Sequence, residues 1–338
     1  MKTHQSGIGI VEIMISLAVG ALLIAGLTQV FTGSRAAYVL QEDLSRLQES
    51  GRFAFHFLSR EGRMAGYFGC RRDVTLNSVI NDSNAANAFL YNFNNGLQGY
   101  RREGNTWRPA APAGLQALIP DALPDSDVIV IRSSGTDTVS IDPPLHLTSS
   151  GAANFRVQSG HPFVTGDILM LSDCAQATVF QTTSANANSV AIGTNSGGNT
   201  APGNSSRVLG IFSDDAVVSR FTATVFYVAP GANRRPALFR RINNDPPEEL
   251  VEGVERMRVL YGVSATDQGQ VNRYEQAQDV NNWANVSSMR ISLLLSGNRD
   301  NMTDEEQVLV FDGERFDAGN RRLHHVVTST IALRNRIR

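Results

Sequence analysis

Glu12 is the residue in this chain whose type and position most directly indicate chemistry. It stands at the head of an apolar run, with no charged residue from Ile13 to Ser34. A carboxylate at the centre of a bilayer costs about 2.5–3.5 kcal/mol, so an acid beside such a run must face water or find a cation. We therefore consider two roles for Glu12: a marker of the water-side end of the run, or an ion-pair partner for an amine.

Cys70 and Cys174, the only cysteines, could form one covalent cross-link. If their domain lies outside the cytoplasm, an even pair most simply forms a disulfide. The closed loop would span about 104 residues and contribute on the order of 4–5 kcal/mol in the chain-entropy model. Two unrelated buried thiols are the alternative, and the wide spacing argues against a metal site.

Motifs for catalysis or cofactor binding are missing from the sequence, which has no G-x-S-x-G, G-x-G-x-x-G, P-loop or H-E-x-x-H pattern. His324 and His325 are neighbours on a predicted strand, where successive side chains point to opposite faces, and His161 precedes a proline in a turn pattern. Four acidic residues lie close together in the sequence: Asp300, Asp304, Glu305 and Glu306. Their spacing differs from that of a calcium-binding loop, so we expect a solvated loop at these residues, with a calcium site as the alternative. We predict no enzyme activity, no cofactor and no resident metal.

The composition limits the class of protein. The chain has 338 residues, 42% of them hydrophobic, which is enough for one large or two ordinary domains and excludes disorder over most of its length. A formal net charge of −2 argues against direct nucleic-acid binding, which needs a basic face. Lys2 is the only lysine.

The apolar run is long enough to cross a membrane. Residues 13–27 read IMISLAVGALLIAGL, with Ser16 as the only polar side chain. A bilayer core needs about 20 helical residues, so we predict a transmembrane helix over about residues 8–34. A cleaved secretory signal is the alternative, although its apolar region is usually only about 7–15 residues long.

The helix is predicted to continue beyond the membrane as an amphipathic stem over residues 35–64. An apolar stripe repeats at alternating spacings of four and three, and no proline precedes Pro109. We expect the stripe to pack on the protein's own domain; two helices hinged near Gly33 are the alternative. The stripe consists of Leu40, Leu44, Leu47, Gly51, Ala54 and Leu58, and the residues predicted to fall outside it are Glu42, Asp43, Arg46, Glu49 and Arg52.

The remainder, residues 65–338, is predicted to be a β-rich domain. Phe221, Ala223, Val225 and Tyr227 alternate as on one face of a half-buried strand. An antiparallel sheet packed on the soluble half of the stem, an α+β fold, is the expected architecture. Residues 184–206 are rich in small polar residues and are expected to form a mobile hairpin loop. Strands are predicted at residues 127–132, 168–171, 217–228, 257–261, 289–295 and 326–333.

The N-terminus resembles the class III signal of type IV prepilins, which has a glycine, four residues, a glutamate and then the apolar run. Gly7 and Glu12 occupy those positions. The resemblance implies that a membrane prepilin peptidase cuts after Gly7, removes residues 1–7 as a leader and leaves Ile8 as the new N-terminus. The resemblance also implies N-methylation of the new N-terminal residue, which is usually phenylalanine in the family and is Ile8 here. The α-amine of Ile8 and the Glu12 carboxylate would then lie four residues apart on one helix face, and Glu12 can pair with the amine of a neighbouring subunit instead.

Later segments resemble the PilW minor pilins. They are GYFGC ending at Cys70, GDILMLSDC ending at Cys174, ELVEGVERMRVLYG over residues 249–262, and STIALRNR over residues 329–336. The resemblance implies a non-enzymatic subunit that is held in the inner membrane with its domain in the periplasm. It is expected to join other minor pilins and the major pilin and to help initiate the type IV pilus. Its expected position is near the pilus tip, beneath a PilY-type adhesin. Adhesion, twitching motility and DNA uptake are the processes that such pili serve. A type II secretion pseudopilin is the alternative of the same class; a membrane-anchored extracytoplasmic enzyme or ligand-binding domain is the alternative of another class.

Overall fold

The computed structural model describes residues 9–69, 74–81, 84–93, 95–142, 154–186, 189–191, 201–264 and 270–336. It has one long helix followed by a β-rich domain, which confirms the predicted α+β class. The helices are α1 (Ile10–Met64), α2 (Ala85–Leu90) and α3 (Ala113–Leu118). The strands are β1 (Thr75–Ser78), β2 (Leu97–Glu103), β3 (Thr106–Arg108), β4 (Ser126–Ser140), β5 (Asn154–Arg156), β6 (Ile168–Ser172), β7 (Gln176–Gln181), β8 (Ser184–Asn186), β9 (Ser189–Ala191), β10 (Val217–Pro230), β11 (Pro236–Ile242), β12 (Glu248–Glu252), β13 (Val254–Ser264), β14 (Val271–Glu275), β15 (Val286–Ser296), β16 (Val308–Phe311), β17 (Glu314–Asp317) and β18 (His324–Ala332).

The helix α1 is continuous over 55 residues, without a hinge at Gly33. No proline interrupts it, and the chain turns away after it at Gly66, whose φ of 72° is a conformation that glycine adopts without strain. The Gly66 N–H donates to the Arg132 carbonyl oxygen at 3.0 Å. The end of the stem is therefore tied to β4.

A nine-stranded sheet forms the larger part of the domain, in the order β1-β7-β6-β10-β4-β2-β3 with β11 and β12 attached beside β10. Its pairings are antiparallel except for β1 with β7. The predicted apolar face of β10 packs against one core cluster. Phe226 and Val228, on the opposite face, are also buried. Both faces of β10 are therefore buried, whereas the sequence pattern predicted a strand with one buried face and one solvated face.

A second antiparallel sheet, in the order β14-β13-β15-β18, lies beneath the stem. One core cluster contains side chains of this sheet, of α1 and of β10, β11 and β12. Strands β4, β6, β10, β13, β15 and β18 coincide with the six predicted segments. Within residues 184–206, β8 and β9 form a hairpin that pairs with β5; residues 187–188 and 192–200 lie outside the described residues.

A buried ion cluster joins the two sheets. Asp127 on β4 accepts hydrogen bonds from Arg101 Nε at 2.8 Å, Arg258 Nη1 at 3.3 Å and the Val259 N–H at 2.8 Å. Asp127 is 4% exposed and Arg101 8%, so each charge is held in a site that excludes most water. Because Arg258 and Val259 belong to β13, this carboxylate fixes the large sheet against the sheet that carries the stem.

The stem packs on the domain through part of the predicted stripe. Leu47, Ala54 and Leu58 are buried in the core cluster, whereas Leu40 is 39% exposed. A Cβ built on Gly51 would lie 3.1 Å from the Leu295 side chain, so glycine permits the close approach of α1 to β15. The prediction that Asp43 falls outside the stripe is wrong, because this side chain is 4% exposed.

Candidate assembly surface

The first half of α1 extends beyond the domain and exposes its apolar side chains. By length and composition α1 can cross a membrane, and none of its most apolar 18-residue window is buried within the protein. Exposed large apolar residues are spread round the helix rather than confined to one stripe. A surface of this kind requires lipid or a bundle of similar helices to cover it.

Three hydroxyl groups in this segment are satisfied inside the helix. Ser16 Oγ donates to the Glu12 carbonyl oxygen at 2.8 Å, and Thr28 Oγ1 donates to the Ile24 carbonyl oxygen at 2.8 Å. Thr32 Oγ1 repeats the arrangement with the Thr28 carbonyl oxygen at 2.9 Å. Each hydroxyl can therefore enter hydrocarbon without an unpaired polar group.

Glu12 lies in the first turn of α1. Its carboxylate is exposed and has no hydrogen bond or ion pair with any other residue that the structure describes. The unpaired N–H groups at a helix start favour a nearby negative charge, although a single carboxylate remains costly to bury. Gly7 and Ile8, the predicted processing residues, lie outside the described residues.

A charged cluster holds the stem to the domain where the exposed half ends. Arg299 Nη2 lies 3.1 Å from Glu42 Oε2, and Arg299 Nη1 lies 3.6 Å from Asp43 Oδ1. Arg46 also pairs with Glu42, at 2.7 Å. The hydrogen bond from Arg299 and the positive charge of Arg46 lower the pKa of the Glu42 carboxyl. The contact with Arg299 is therefore weakened as pH falls through that lowered pKa.

The residues around the two cysteines lie close together. Ser172 Oγ, two residues before Cys174, donates to the Phe68 carbonyl oxygen at 3.0 Å. Cys174 also lines a cavity of about 230 Å³ together with Tyr67 and Gly69. Cys70 itself lies outside the described residues, so its bond with Cys174 stays a prediction, supported by the position of the residues before it.

We expect peptide mapping of non-reduced protein to recover Cys70 linked to Cys174. Reduction should lower the free energy of unfolding by on the order of 4 kcal/mol, because the closed loop restricts the unfolded chain. The variant Cys174→Ser should be destabilised equally and should not respond further to reductant. Alkylation of both thiols in native, oxidised protein would disprove the bond.

The residues considered for catalysis do not come together. His324 is buried, with Nε2 3.4 Å from Glu255 Oε1, whereas His325 is only half-buried. Asp300 forms an ion pair with Arg322 at 2.5 Å. Among the described residues, no group of three His, Cys, Asp or Glu side chains could hold a metal ion. The contact of His324 with Glu255 has no signal in the local sequence, because it depends on the pairing of distant strands.

The comparison with protein families matches one part of the chain. The family model described as PilW, type IV pilus-assembly protein W, matches residues 225–335. Residues 225–335 are called the PilW segment below. The match confirms the PilW resemblance and supports a role related to type IV pilus assembly. Neither the comparison with curated proteins nor the comparison with solved structures found a match.

The PilW segment forms most of the surface on which the stem lies. It begins within β10 and includes β11–β18, and α1 contacts its strands β12, β15 and β18 as well as β4, which lies outside it. The exposed apolar half of α1 therefore continues into a stem that packs on the PilW segment. Its length and composition are compatible with a membrane anchor.

Proposed function

We propose that this protein is a minor pilin that helps to initiate assembly of a type IV pilus and is incorporated near the pilus tip. One observation carries the proposal: a fully exposed apolar helix continues without a break into a stem that packs on the PilW segment. The exposed half provides a membrane anchor before assembly and a bundle contact after it. The domain provides the surface that meets other subunits, and no catalytic role is required.

In this proposal the chain is made as a prepilin and held in the inner membrane with its domain in the periplasm. The peptidase removes residues 1–7, and the mature chain then joins other minor pilins and the major pilin, beneath a PilY-type adhesin. The same geometry suits a type II secretion pseudopilin. Mass spectrometry of the complex captured from solubilised membranes distinguishes the two, since the co-isolated subunits belong either to a pilus or to a secretion system.

Processing gives a direct test of the proposal. The mature chain should begin at Ile8, and loss of Lys2 should change the formal net charge from −2 to −3 and leave no lysine. An amine-directed label should then react only at the N-terminus. Intact-mass and N-terminal peptide analysis measures both results.

Two glycine variants provide a matched control for this test. Gly7→Val should block the cut and leave residues 1–7 attached, whereas Gly9→Val should still be processed. A mature N-terminus beyond Ala36 would instead indicate an ordinary secretory signal and would contradict the prepilin proposal.

A further inference from the structure

A groove of about 510 Å³ lies between the stem and the PilW segment. The stem contributes Phe53 and Glu49 to its lining, and β12 contributes Leu250 and Glu252. Phe53 is 51% exposed, which is unusual for a large aromatic side chain beside a packed core. The groove thus presents an open aromatic ring between carboxylates from two elements.

The neighbouring part of the same helix shows what such an arrangement binds. The Arg240 guanidinium lies over the Phe57 ring, 5.3 Å from its centroid. It also approaches Glu248 on β12 at 2.7 Å and Glu61 on the stem at 4.0 Å. An aromatic ring and carboxylates from the helix and from β12 therefore hold one arginine, which combines a planar charge with a surface that stacks.

The groove contains groups of the same kinds, arranged in the reverse order along the helix. Glu49, Phe53, Phe57 and Glu61 are spaced four residues apart, and Glu252 follows Glu248 by four residues on β12. The two phenylalanine rings touch, with centroids 4.9 Å apart. Four-residue spacing places successive helical side chains on one face. The two sets thus lie side by side between the same elements.

No arginine of the described chain stacks on the ring of the second set. None lies over the Phe53 ring among the cation–π contacts of the described residues. Arg46 lines the groove, but its guanidinium pairs with Glu42 at 2.7 Å. Arg235 Nη1 approaches Glu252 from the domain at 3.6 Å, and Glu49 forms no ion pair with a described residue.

Asp43 adds negative charge to the wall of the groove. This side chain lines the groove and is 4% exposed. Its Oδ1 atom lies 3.6 Å from Arg299. With Glu49 and Glu252, the lining has three acids and one base.

We propose that this groove receives an arginine side chain from a neighbouring subunit of the assembly, stacked on Phe53 and paired with Glu49 and Glu252. The inference rests on the proposed pilin function and adds a contact to it. A head-to-tail contact between identical chains would repeat as a ring or an open filament of this chain alone. Because the proposed function makes this chain a minor subunit, the arginine belongs to a different pilin chain.

Site-specific photo-crosslinking of the full chain in piliated cells tests the contact. A benzophenone amino acid at Ser50, which lines the groove, should crosslink to another pilin subunit through a peptide that contains arginine. The same probe at Gln48, exposed and outside the groove lining, should give about tenfold less of that product.

Charge variants then test the recognition. Glu49→Arg should lower the Ser50 crosslink about tenfold, whereas Gln48→Arg, the same substituent on the adjacent residue, should leave it unchanged. Phe53→Leu keeps an apolar side chain but removes the ring, and should lower the yield several-fold. Equal thermal unfolding midpoints in detergent establish that these exposed substitutions leave the fold intact.

The inference is overturned if the Ser50 probe crosslinks only to lipid, to a second copy of this chain, or to a peptide without arginine. It is also overturned if Glu49→Arg leaves the yield of the Ser50 crosslink unchanged. If the chain still co-isolates with pilins in those cases, the groove inference fails and the pilin function stands. If the unmodified chain does not co-isolate with pilins either, then both the groove inference and the proposed pilin function are wrong.

Discussion

Cells that carry Glu12→Val in place of the native chain should have at least about tenfold fewer surface pili, while the membrane level of the protein stays normal. Glu12 lies at the start of an exposed apolar helix and has no cation partner among the described residues. When the stem leaves lipid for a helical bundle, its carboxylate can pair with the free α-amine of an adjacent subunit. Breaking a buried pair on one side leaves an uncompensated charge, at a cost of about 3–5 kcal/mol.

The Glu12→Val chain should still insert and should still be cut after Gly7, because the peptidase recognises the glycine. Glu12→Asp should give an intermediate result, since it keeps the acid and shortens its reach by one methylene. Ser16→Val is the matched control: its hydroxyl bonds to the Glu12 carbonyl oxygen within the same helix, so piliation should not change. Electron microscopy and co-isolation of pilins measure assembly. Normal piliation by Glu12→Val would reduce Glu12 to a marker of the membrane interface.

Asp127→Ala should lower the free energy of unfolding by about 3–5 kcal/mol. The substitution leaves two guanidinium groups, those of Arg101 and Arg258, without their shared carboxylate, and it removes the acceptor of the Val259 N–H. Because these contacts join the two sheets, the loss should loosen the stem-bearing sheet against the larger one. Asp127→Asn should be less damaging, since it keeps one acceptor oxygen.

Urea unfolding of the full chain in detergent, followed by tryptophan fluorescence, measures this effect. Trp283 is a suitable probe because it packs edge-on against the buried Tyr261, with ring centroids 4.8 Å apart. Asp317→Ala is the control: its pair with Arg315 is exposed, so the change should stay within about 0.5 kcal/mol. Equal unfolding midpoints for the two variants would show that the buried cluster does not hold the sheets together.

The amino-acid sequence determines those features that depend on local pattern. The length of the apolar run, the absence of proline and the spacing of apolar residues predict one long helix, because helix formation depends on neighbours three and four residues apart. Alternation and β-branched residues likewise locate the six predicted strands. Glu12 could be singled out from its position, because an acid beside a charge-free run must face water or pair with a cation.

Tertiary structure decides those features that depend on residues far apart in the chain. Asp43 lies outside the apolar stripe, yet the fold buries it beside Arg299, more than 250 residues later in the chain. The second face of β10 is buried because α1 and the stem-bearing sheet pack against it. The groove at Phe53 exists because β12 lies beside the stem, about 200 residues later in the chain, a distance that no local periodicity encodes. Burial and ion pairing of these residues depend on which elements pack together in the folded domain, and those elements are far apart in the sequence.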